Sequence, residues 1–158
     1  MRICAYTVEI LFFTAFQAVL LFSGRHNMKA YDVLLIDDEK PFTDTVKAEL
    51  EKAGIGAATA NCKGEVFYCL EKKHQDGENF YLIVMDMHCK FITHDELKSV
   101  INSLDGVMPH ILFATGADKM LQKNIGGEDF KPKLLLERML KALLNHPSMA
   151  EKIKNRCC

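Results

Sequence analysis

Neither sign of charge dominates this 158-residue chain: 20 Lys and Arg stand against 21 Asp and Glu, a formal net of -1. That removes the electrostatic argument for a nucleic-acid-binding or polybasic protein, so any function must come from a local site. Cysteine is also scarce. Cys4, Cys62, Cys69, Cys89, Cys157 and Cys158 include no C-x-x-C pair, which is too sparse for a disulfide scaffold and argues against structural zinc; free thiols in a reducing compartment are the default. Five of the histidines (His26, His74, His94, His110 and His146) show no ligand spacing, and no signal for lipidation precedes the terminal cysteine pair. Long apolar runs are missing from the chain after residue 25, though not before it.

Ile3 to Ser23 is almost wholly apolar, interrupted by Thr7, Glu9, Thr14 and Gln17. Its length is enough to span a bilayer. As a signal peptide it is poor, with one basic residue at Arg2, an internal Glu9 and no small-x-small cleavage site. As a membrane anchor it is better, because Glu9 lies near one end while Arg25 and Lys29 follow the run and favour a cytoplasmic C-terminal side. A third reading makes residues 1–27 an extension upstream of a start at Met28, and a fourth makes them an extra packed helix. Any membrane association would run through residues 3–23; otherwise the chain is expected in the cytoplasm.

From Tyr31 onward, apolar runs alternate with amphipathic stretches. Val33 to Ile36 reads as a first strand, and Phe42 to Ala53, apolar at Phe42, Val46 and Leu50 with Gly54 as a stop, as a first helix. Ile55 to Ala60 is a weaker strand, Glu65 to Lys73 a helix, and Tyr81 to Met85 the strongest strand. Asp95 to Leu104 follows as a helix, Ile111 to Ala114 as a fourth strand, and Ala117 to Lys123 as a short fourth helix. Asp129 to Lys131 is a weak fifth strand and Leu134 to Leu144 a long last helix. Continuous, non-alternating strands separated by helices predict an α/β fold with a doubly wound parallel sheet covered on both faces. Residues 28–146 would form this domain and 147–158 a C-terminal tail, in which Ser148 and Glu151 match a capping box after the Pro147 break.

Such sheets bind ligands beyond the C-terminal ends of their strands. The residues there are Asp37, Asp38 and Glu39 after the first strand, Asp86 after the third, Thr115 after the fourth and Lys131-Pro132 after the fifth. Carboxylates crowded on one rim repel one another unless a hard divalent cation such as Mg²⁺ sits among them. A hydroxyl and an ammonium alongside suit phosphoryl oxygens, and a carboxylate there can act as a nucleophile toward phosphorus.

In that order the motifs Leu35-Ile36-Asp37-Asp38-Glu39, Ile83-Val84-Met85-Asp86-Met87, Phe113-Ala114-Thr115-Gly116 and Phe130-Lys131-Pro132 resemble the response-regulator receiver family, the CheY-like phospho-acceptor domains of two-component signalling. The resemblance covers Met28 to about Asn145. It implies a five-stranded flavodoxin-like sheet of order 2-1-3-4-5, Asp86 as phospho-acceptor, and Mg²⁺ held by Asp37, Asp38, Asp86 and the His88 backbone carbonyl. Thr115 and Lys131 would sense the phosphoryl group, and Pro132 would follow a cis peptide bond. A histidine kinase or phosphotransfer protein would be the donor, and output would pass to a partner protein, since no DNA-binding or enzymatic output domain follows.

The chain also departs from that family. Met87-His88-Cys89-Lys90-Phe91 lacks the usual Pro-Gly turn, and Thr115 to Lys131 spans only sixteen residues, which shortens the fourth helix. Two other readings compete with a phosphorylated stand-alone receiver. One is a pseudo-receiver that binds partners without phosphorylation. The other is a Mg²⁺-dependent phosphatase of haloacid-dehalogenase-like fold, which the Glu at position 39 disfavours because that family places Asp-x-Asp at its first strand end.

Overall fold

The computed structural model describes residues 32–52, 54–106, 108–115 and 133–147. Among them lie four strands and four helices, which we number in chain order: β1 (Val33–Ile36), α1 (Lys40–Lys52), β2 (Ala57–Ala60), α2 (Lys63–Gln75), β3 (Leu82–Asp86), α3 (His94–Ser103), β4 (His110–Ala114) and α4 (Lys133–Asn145). The strands form one sheet of order β2-β1-β3-β4 with every neighbouring pair parallel. This is an α/β fold of the general flavodoxin-like kind. The expected short helix at 117–123, the fifth strand at 129–131, the apolar segment at 3–23 and the capping box at 148–151 all lie outside the described residues. Among the described residues, no helix is long and apolar enough to cross a membrane.

The central strands explain why their sequence runs are continuously apolar. Successive side chains of a strand point to opposite faces. Val33 and Leu35 of β1, with Leu82 and Val84 of β3, join Phe42, Val46 and Leu50 of α1 and Leu135, Met139 and Leu143 of α4 in one core. Leu34, Ile36, Ile83 and Met85 face the other way, onto Val66 and Leu70 of α2 and Leu97 and Ile101 of α3. The sheet is thus covered on both sides, as the patterning requires.

The second strand starts two residues later than its composition suggests, because Gly54 and Ile55 complete α1 instead. Gly54 has φ 74°, its N–H donates to the Glu51 carbonyl, and the Ile55 N–H reaches back to Leu50. This is a Schellman ending, with Leu50 and Ile55 packed in the same core. Helix α2 ends the same way at Gly77 (φ 69°), with Glu78 N–H on the Lys73 carbonyl. There an ion pair between buried Lys73 and exposed Glu78, Nζ to Oε2 at 2.6 Å, takes the place of the apolar contact.

Two further contacts tie helices to the sheet. Thr93 and Glu96 form a reciprocal capping box at the start of α3. On the opposite layer, Arg138 of α4 donates from Nη2 to the Phe113 carbonyl of β4 at 2.8 Å. That carbonyl points away from β3, because the Ala114 carbonyl one residue later accepts the Met87 N–H on the β3 side.

Candidate functional site

The parallel arrangement of β1 and β3 as direct neighbours sets the chemistry of one sheet edge. Asp37 follows β1 and Asp86 ends β3; both are buried, 1% and 5% exposed, whereas Asp38 is exposed. Their carboxylates converge, with one oxygen from each of Asp37, Asp38 and Asp86 lying within 4.8 Å of the others. Asp86 is a strand residue, paired with Ala114, rather than the first residue of a loop.

Backbone donors orient two of these acids. Asp37 Oδ1 accepts the Glu39 N–H at 2.8 Å, a local Asx-type bond that shapes the turn into α1. The Glu39 carbonyl then accepts the first amides of the helix, from Phe42 and Thr43, while Pro41 occupies the first turn, where a missing N–H costs nothing. Asp86 Oδ1 accepts the His88 N–H at 3.3 Å. The His88 backbone belongs to the turn that leaves β3, two residues beyond Asp86.

Three residues that the sequence did not single out complete the surroundings. Asn61, at the end of β2, donates from Nδ2 to the Asp37 carbonyl at 2.7 Å and to Thr43 Oγ1 at 3.1 Å. It thereby ties β2, the acidic turn and α1 together. Thr43 is 1% exposed and its hydroxyl also donates to the Lys40 carbonyl. Lys90, from the loop after Asp86, brings Nζ to 3.6 Å from Asp38 Oδ2. Asn61 and Lys90 left no local signature, since their partners are distant in sequence.

Under the carboxylates a crevice of about 10 Å³ is lined by Leu35, Asp37, Phe42, Val84, Asp86 and Ala114. It has room for about one water and none for an organic substrate. Cys89 borders the site, but burial pushes its thiol up from the usual range; nearby Asp38 and Asp86 push it the same way, against the backbone amides of Phe91 and Ile92. A thiol held protonated is a poor nucleophile.

The donor set is all hard oxygen, from three carboxylates on adjacent segments, and could hold a metal ion. Of the other expected site residues, Thr115 directly follows β4 and is half-buried, while Lys131 and Pro132 lie outside the described residues. No model of a known protein family matches the chain.

Proposed function

We propose that this protein is a receiver that accepts a phosphoryl group on Asp86 and signals through altered partner binding. One observation carries the reading: Asp37, Asp38 and Asp86 meet within 4.8 Å at the C-terminal ends of the central parallel strands.

In the step itself, a carboxylate oxygen of Asp86 attacks phosphorus of a phosphohistidine on a kinase or phosphotransfer protein. The P–N bond breaks, and the imidazole nitrogen keeps the electron pair and takes up a proton. Asp37, Asp38, Asp86 and the His88 carbonyl would hold Mg²⁺, which when bound supplies positive charge to the phosphoryl oxygens and relieves the repulsion among the acids. The His88 N–H orients Asp86, Asn61 and Thr43 hold the acidic turn in register, and Thr115 and Lys131 bind the transferred group.

The full chain, incubated with Mg²⁺ and acetyl phosphate or phosphoramidate, is expected to gain one phosphoryl mass in intact-mass measurement. The gain should be absent in Asp86→Asn. A folded chain that never takes the label acts instead as a pseudo-receiver, and turnover of small phosphate esters would mark it as a phosphatase.

A further inference from the structure

The loop after Asp86 brings a cation to the acidic cluster, and on the receiver reading this has a regulatory consequence. Cys89 N–H donates to the Asp86 carbonyl, and Ile92 is buried at 2% exposure in the α2–α3 core. The loop is therefore pinned on both sides of Lys90. Between these anchors the Lys90 stem projects into solvent, with 85% of its side chain exposed, and its ammonium turns back to Asp38 Oδ2 at 3.6 Å. Asp38 is the exposed member of the three acids, so the ammonium sits on the carboxylate that an incoming cation meets from solvent.

We propose that Lys90 is a built-in counter-ion that competes with the divalent cation for Asp38 and so sets the cation concentration at which the site is filled. The ammonium partly neutralises the acidic cluster while the cation is absent. A divalent ion entering the site displaces it from Asp38 and then repels it, so the charge of Lys90 opposes binding. A unit charge 3.6 Å from a carboxylate in water changes an equilibrium constant by roughly sevenfold. Motion of an exposed lysine reduces this, while the double charge of the competing ion increases it. As an exposed pair it contributes little to folding stability, which separates this role from a structural one.

The test is calorimetric titration of the full chain and its Lys90→Gln and Lys90→Arg variants with MgCl₂, at low and high potassium chloride. K90Q is expected to bind Mg²⁺ about three- to tenfold more tightly than wild type, with an unchanged melting temperature. K90R should resemble wild type, and the difference should shrink as salt screens the charge. In an Asp38→Asn background the K90Q effect should largely vanish. Equal affinities of wild type and K90Q, or an undiminished K90Q effect without Asp38, would overturn the inference while leaving the receiver reading intact. Absence of Mg²⁺ binding by every variant would overturn both.

Discussion

Replacing Asn61 by alanine removes two hydrogen bonds that converge on the acidic turn. The amide Nδ2 serves the Asp37 carbonyl at 2.7 Å and Thr43 Oγ1 at 3.1 Å, and Asp37 and Thr43 are each 1% exposed. Each such bond contributes about 0.5–1.5 kcal/mol net. Asn61 itself is only half-buried, so water can reoccupy part of the space, and a total cost of about 1–2 kcal/mol is expected. In a chain of this length that corresponds to a fall of about 2–8 °C in melting temperature, measurable by circular dichroism or scanning calorimetry. Asn61→Asp is the sharper control, because it preserves size, loses the amide donor and adds a carboxylate beside the cluster; its loss should equal or exceed that of alanine. A melting temperature within about 1 °C of wild type for both variants would refute the clamp. Labelling should also slow in both, since the turn that aims Asp37 would no longer be held from β2.

Asp38→Ala should abolish phosphoryl labelling yet leave the cation-free protein no less stable than wild type, because removing one of three crowded carboxylates relieves repulsion and the Lys90 pair it breaks is exposed; normal labelling of this variant would defeat the metal assignment. Glu78→Ala should cost about 1–2 kcal/mol by urea denaturation because it strands the buried Lys73 ammonium, whereas Lys73→Met should stay within about 1 kcal/mol of wild type. Glu96, whose carboxyl is held below its usual range by the Thr93 amide and by Lys63, should support α3 at pH values above the ordinary carboxylate range and lose that support as the pH falls through its lowered pKa. Hydrogen exchange in the first turn of α3, corrected for intrinsic rates, should therefore lose protection at acid pH in wild type and show no such step in Glu96→Gln. Removing residues 1–27 should leave the melting temperature unchanged, since α1–α4 already cover both faces of the described sheet; a fall of more than several degrees would show that the segment packs on the domain.

The parts of this fold legible in the sequence are those set by local patterning. Val33–Ile36 and residues 82–85 are apolar throughout because each run feeds two cores, and Phe42, Val46 and Leu50 recur at the spacing of one helix face. The acids were legible for a topological reason, since the ends of parallel strands must share an edge. Ile55 was misleading: as an apolar residue beside a weak strand it looks like part of that strand, and only the positive φ of Gly54 turns it back onto α1. The Thr93-x-x-Glu96 box is a local pattern that starts α3, whereas the box at Ser148 lies outside the described residues. Asn61 and Lys90 were illegible on principle, because their partners are 24 and 52 positions away and are brought near only by the sheet order.

The Arg138 contact bears on how firmly α4 is held to the sheet. A carbonyl on the outer side of a strand needs a donor as much as one inside the ladder does. Among the described strands, β4 is one of the two outermost, and the outward Phe113 carbonyl already receives a guanidinium from α4. Arg138 therefore fastens the helix to the strand through its backbone, and Arg138→Leu should loosen that contact, seen as faster amide exchange along α4 with little change in β1 and β3.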